Sequence, residues 1–138
     1  MAFQFRRKVR FGDVDAAAIV FYPRYFDMLN DAVDDWFASM GMDFFAMHRT
    51  HGIGVPTVHL ECDFLAPSEL GDDLTIELTP VEIGRSSCSL DYVVRGGDEV
   101  RLKAKSVLVC MDLASKQPIA WPSCLLPHMN RARAALAC

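Results

Sequence analysis

Apolar and polar residues alternate at the start of the chain. Phe3, Phe5, Val9 and Phe11 fall on odd positions against Gln4, Arg6, Lys8 and Arg10, the period of a half-buried strand, and Arg7 alone breaks it. The pattern predicts a first strand reaching about Phe11. From Tyr22 the period becomes helical. Tyr22, Tyr25, Phe26, Leu29, Ala32, Val33, Trp36, Phe37 and Met40 form one apolar stripe, while Arg24, Asp27, Asn30, Asp31, Asp34 and Asp35 take the other face. Pro23 suits the first helical position and Gly41 the stop. Such a helix is roughly 27 Å long at about 1.5 Å per residue, and its aromatic stripe calls for a sheet wrapped around it. A short helix is expected over residues 43–50.

Period two then returns. Val58, Leu60, Cys62 and Phe64 alternate with His59, Glu61 and Asp63; Leu74, Ile76 and Leu78 with Thr75, Glu77 and Thr79; Cys88, Leu90, Tyr92 and Val94 with Ser87, Ser89 and Asp91. Arg95-Gly96-Gly97-Asp98 reads as a hairpin turn leading to Val100, Leu102, Ala104, Ser106, Leu108 and Cys110, set against Arg101, Lys103 and Lys105. Residues 123–137 read as a closing helix. One strand, one long helix and four or five antiparallel strands make an α+β fold, without the strand–helix alternation of a parallel sheet.

Length and charge narrow the function classes. The 138 residues fit one domain, residues 1–138. An apolar fraction of 51% is high for so short a chain and implies that a partner subunit covers part of the surface. A net charge of -4 with no Lys/Arg run disfavours nucleic acid. Neither a signal-peptide pattern nor a membrane-length apolar run is present, so a cytoplasmic location and no membrane association are expected. The five cysteines are odd in number and show no CxxC pair, and the four histidines show no ligand spacing. Reduced thiols, and no metal or other cofactor, are expected.

The chemistry-bearing stretch is Phe11-Gly12-Asp13-Val14-Asp15, followed by Ile19-Val20-Phe21-Tyr22-Pro23-Arg24-Tyr25. It places two carboxylates in an apolar loop feeding a helix N-terminus. There burial would raise a carboxyl pKa while free N–H groups attract negative charge, so the loop reads as a reaction centre. This stretch resembles the active-site motif of the 4-hydroxybenzoyl-CoA thioesterase group of hot-dog-fold proteins. Gly54-Val55-Pro56, Phe64-Leu65-Ala66-Pro67, Leu70-Gly71-Asp72-Asp73-Leu74 and Gly84-Arg85-Ser86-Ser87 resemble later segments of that group, so the likeness spans about residues 3–112.

The resemblance implies an antiparallel sheet wrapped around one long central helix, sheets joined edge to edge in homodimers, sites at the dimer interface and a dimer of dimers. It also implies hydrolysis of an acyl-CoA, with coenzyme A as part of the substrate and no added cofactor. Asp15 matches the catalytic carboxylate, and Tyr22 the residue whose backbone N–H binds the thioester oxygen. Phe45, Val55, Pro56 and Thr57 match positions of the acyl pocket. Arg85, Ser86 and Ser87 match the region of the coenzyme A phosphates. Asp13 reads as a turn or interface residue. Ala18 departs from the group, which usually has glycine there, as Ala16 departs from proline and Ser86 from a basic residue. Two other functions are weighed against the thioesterase: a non-catalytic acyl-thioester-binding subunit, and a hydratase or dehydratase, which would want a histidine near the carboxylate where none precedes Met47.

Overall fold

The computed structural model describes residues 2–137. Its elements run β1 (Phe3–Lys8), a 3-10 turn (Phe11–Asp13), α1 (Pro23–Ser39), α2 (Phe44–Arg49), β2 (Ile53–Gly54), β3 (Thr57–Phe64), β4 (Asp73–Ile83), β5 (Ser87–Gly96), β6 (Glu99–Val109), β7 (Met111–Asp112) and α3 (Leu126–Ala137). Five strands form one antiparallel sheet in the order β1-β4-β5-β6-β3, and β2 pairs with β7 in a small ribbon.

Each central strand sends its expected dry row inward. Leu74, Ile76 and Leu78 of β4, Cys88, Leu90, Tyr92 and Val94 of β5, and Leu102, Ala104, Ser106 and Leu108 of β6 are all buried. The buried stripe of α1, Tyr25, Met28, Leu29, Ala32, Val33, Trp36 and Phe37, packs on that face. At about 1.5–3 kcal/mol for each large apolar side chain removed from water, this helix–sheet seam is the main source of stability. Asp13 and Asp43 cap the turns that enter the helices: Asp13 accepts from the Arg10 N–H, and Asp43 from the Ala46 N–H that opens α2. α3 packs on β4 and contributes Met129 to the core. This is the expected hot-dog arrangement of an antiparallel sheet around one long helix.

The departures from the simple pattern have local causes. β1 ends at Lys8, and Phe11 stands 84% exposed in the 3-10 turn rather than closing the strand. Arg7 shares the inward face of Phe3 and Phe5 because its guanidinium meets the Asp13 carboxylate in two hydrogen bonds, 2.7 and 2.9 Å. β3 slips register between Thr57 and His59, and as an edge strand it has no dry row: Val58, Leu60 and Phe64 are exposed and only Cys62 is half-buried. A second irregularity between Val94 and Arg95 leaves Arg101 without a cross-strand partner. Arg101 thus turns away from the row of Lys103 and Lys105 and bonds inward. The closing helix begins at Leu126, after a turn, rather than at residue 123.

Candidate functional site

The loop between the 3-10 turn and α1 is a miniature hairpin. Val14 bridges Val20, the Asp15 N–H donates to the Ile19 carbonyl at 3.0 Å, and the Ala18 N–H closes the turn on the Asp15 carbonyl at 2.9 Å. The Asp15 carboxylate accepts from the Ala17 N–H at 2.9 Å, which holds it on the turn. Ala18 carries φ 63°, the left-handed region where an L side chain crowds its own carbonyl. That conformation explains why glycine would suit the position.

A second segment braces the hairpin. The Val20 N–H donates to the Ser68 carbonyl at 2.9 Å and the Leu70 N–H to the Ala18 carbonyl at 3.1 Å. Ser68 is fully buried; its hydroxyl accepts from the Tyr25 hydroxyl at 2.9 Å and from Arg101 at 3.1 Å, and Arg101 also reaches Asp72 at 2.8 Å. The guanidinium holds the Asp72 carboxyl below its usual range, assisted by the Glu69 N–H. Thus α1, the hairpin and β6 are tied together by one polar network. Neither Ser68 nor Arg101 was legible as part of the site, since Arg101 follows the polar period of its strand and changes face only through the bulge.

Asp13, expected as a turn or interface residue, and Asp15, expected as the reactive carboxylate, have opposite environments. Asp13 is 6% exposed, while Asp15 is exposed. Burial does not raise the Asp13 pKa: the Arg7 guanidinium holds it below the usual carboxylate range despite desolvation. Asp13 is therefore an anchor, and its carbonyl receives the Phe21 N–H at 2.9 Å on the far side of the hairpin.

The start of α1 leaves one donor free. The Arg24 N–H is spent on the Phe21 carbonyl at 2.8 Å, the Tyr25 N–H reaches the Tyr22 carbonyl at 3.2 Å, and Pro23 has no N–H. Among the described residues no acceptor takes the Tyr22 N–H. It stands at the positive end of a 17-residue helix, where a developing negative charge is stabilised. A groove of about 310 Å³ opens beside it, lined by Val20, Tyr22, Tyr25, Phe64, Leu65 and their neighbours. The Phe64 ring is 6.1 Å from Tyr22, 6.0 Å from Tyr25 and 6.3 Å from Phe26, so the groove has an aromatic wall.

The remaining expected site residues are not gathered here within one chain. Val55 and Thr57 line a separate cavity of about 150 Å³ between α1 and the sheet. Pro56 is exposed and its carbonyl accepts from the Val109 N–H; Phe45 is 71% exposed on α2 under the Arg49 guanidinium, and lines neither cavity. Arg85 and Ser86 lead into β5, which Ser87 begins, at the Val109 end of β6, whereas the hairpin lies at the Leu102 end. The Arg85, Ser86 and Ser87 carbonyls are engaged by Trp121 and Cys110. Among the described residues no group of His, Cys, Asp and Glu is placed to hold a metal ion, and no helix is long and apolar enough to cross a membrane.

A carboxylate held on a tight turn, and a helix-end N–H opening on an apolar groove, are groups that an acyl-transfer site would use. A family model described as the thioesterase-like superfamily matches residues 9–132. The chain belongs to the thioesterase-like superfamily. As a superfamily member it is a thioester hydrolase. It is similar to the 1,4-dihydroxy-2-naphthoyl-CoA hydrolase of Nostoc punctiforme, 31% identical over 116 residues covering 84% of this chain and 78% of that one. The enzyme of the same name from Synechococcus elongatus is 29% identical over 116 residues, 83% of this chain and 85% of its own. Among solved structures, a gentisyl-coenzyme A thioesterase superposes with a TM-score of 0.81 at 26% identity, over 89% of this chain and 98% of that one. The resemblance read from the motif thus holds at the level of the superfamily. These relatives are named for naphthoyl and gentisyl thioesters, not for 4-hydroxybenzoyl-CoA.

Proposed function

We propose that this thioesterase-like protein hydrolyses the thioester of a small aryl-CoA at the Asp15 hairpin. The observation that carries the reading is the Tyr22 N–H, left without an acceptor among the described residues at the start of α1, with the Asp15 carboxylate held on the adjoining turn. The thioester oxygen would accept from that N–H and gather negative charge as the carbonyl carbon becomes tetrahedral. The carboxylate would attack that carbon to form a mixed anhydride, or take a proton from an attacking water; both routes release coenzyme A as its thiol and the acyl group as an acid. No step requires a metal. The aromatic wall of the groove and the names of the relatives both favour an aryl acyl group over a short aliphatic one.

The same reading makes the working unit a homodimer joined through β3, with a dimer of dimers as the next level. β3 is an edge strand with Val58 at 60%, Leu60 at 43% and Phe64 at 49% exposure, an apolar edge that invites pairing. A two-fold axis through that edge would run the two β3 strands antiparallel. The Thr57 end of one chain would then lie beside the Phe64 end of the other. That would bring Val55, Thr57 and the Arg85 turn of one subunit towards Asp15 and Tyr22 of its partner.

The test is hydrolysis of a panel of acyl-CoA thioesters followed by thiol release, with wild type beside Asp15→Asn. The amide keeps shape and hydrogen bonding but loses basicity and nucleophilicity, so turnover should fall at least 100-fold, on the scale of about 10²–10⁴ for a lost acid–base group, while the variant still folds and binds substrate. Turnover near wild type would remove Asp15 from the chemistry.

A further inference from the structure

We propose that the cavity between α1 and the sheet seats the ring of the acyl group, and that the Tyr92–Ser106 hydroxyl pair at its floor recognises a hydroxyl on that ring. This rests on the aryl-CoA reading and specifies it further.

The cavity measures about 150 Å³, and an apolar void of about that size admits one benzene-sized ring. Its walls are apolar, with Leu29 and Val33 from α1 and Leu108 from β6; Asn30 and Thr57, both exposed, lie at its mouth. The floor is different. Tyr92 is 4% and Ser106 3% exposed, and their oxygens are 2.7 Å apart across the β5–β6 pair. Two hydroxyls carry two protons, and the bond between them uses one. Among the described residues neither oxygen has another side-chain partner, so one buried O–H is left over at a cavity wall. A buried donor without an acceptor is costly, by about 1–3 kcal/mol in general, and a ring hydroxyl or phenolate oxygen would relieve it. Burial pushes the Tyr92 phenol up to about 12, so the pair keeps both protons at neutral pH and stays a donor. Polar atoms at the far end of an apolar slot favour a hydroxylated ring over a bare one, because the bare ring leaves the donor unmet.

The measurement is the ratio of kcat/KM for hydroxybenzoyl-CoA isomers over benzoyl-CoA, in wild type and in the double variant Tyr92→Phe/Ser106→Ala, because removing one hydroxyl alone leaves the other with its proton free. Wild type should prefer at least one hydroxylated isomer by about tenfold, the worth of one well-made buried hydrogen bond. The double variant should lose that preference, read in each protein as the ratio to its own benzoyl-CoA turnover. A preference unchanged in the double variant would overturn the subsite and leave the thioesterase reading standing. Calorimetric binding of hydroxybenzoates against benzoate supplies a readout independent of turnover. If no acyl-CoA is hydrolysed but the hydroxyl preference in binding disappears in the double variant, the subsite stands and the hydrolytic reading fails. If wild type shows no hydroxyl preference in either assay, the subsite is refuted.

Discussion

Replacing Asp13 by asparagine tests the anchor beneath the reactive turn. The carboxylate accepts three hydrogen bonds, from both terminal nitrogens of Arg7 at 2.7 and 2.9 Å and from the Arg10 N–H at 2.8 Å. An asparagine keeps one oxygen but turns an NH₂ towards a donor, and it leaves the Arg7 charge unpaired. Removing one member of a buried pair costs about 3–5 kcal/mol. Here the Asp13 side chain is 8% exposed and that of Arg7 25%, so water recovers part of the Arg7 hydration. The expected loss is about 2–3 kcal/mol at neutral pH, which for an m-value of about 1.5–2 kcal/mol/M lowers the urea midpoint by about 1–2 M. The pH dependence gives the decisive signature. The Asp13 pKa is lowered on folding, so its stabilisation is present above the unfolded carboxyl value of about 3.9 and is lost as pH falls through the folded one. The gap between wild type and Asp13→Asn should therefore be full at pH 7 and narrow below about pH 4, at one fixed protein concentration. A gap of equal size at both pH values, or none at pH 7, would refute the anchoring argument. Because the Asp13 carbonyl also receives the Phe21 N–H, the variant should lose turnover as well as stability.

Two further outcomes follow from geometry. Ala18→Gly removes a methyl from a residue at φ 63°; relief of about 1–2 kcal/mol of left-handed strain, less the extra chain entropy of glycine, should raise the melting temperature by about 2–4 °C, and a lower one would show that Ala18 is not strained. Light scattering with activity on the same samples should find at least a dimer whose turnover is lost on dilution to monomer; a fully active monomer would exclude a site shared through β3.

Much of the fold was legible because period two and period 3.6 report directly which face of an element is dry. The α1 stripe, its Pro23 start, the short α2 and the dry rows of β4, β5 and β6 all follow from local pattern. The motif around Asp15 and Tyr22 was equally visible, since a turn and a helix start are contiguous in sequence. Even Arg7 and Ser106 carried a signal, each a polar residue in an apolar row. What no local pattern contains is the partner that makes such a residue tolerable. Arg7 faces inward because Asp13 is folded back under it, and Ser106 because Tyr92 lies across the strand pair. Arg101 changes face through one bulge, which depends on the register of two strands. The Tyr22 N–H likewise finds no acceptor among the described residues only because of how the hairpin and the start of α1 meet. Alternation along a chain records how wet each position is, whereas hydrogen-bond pairing between elements is decided only once tertiary packing sets which groups meet.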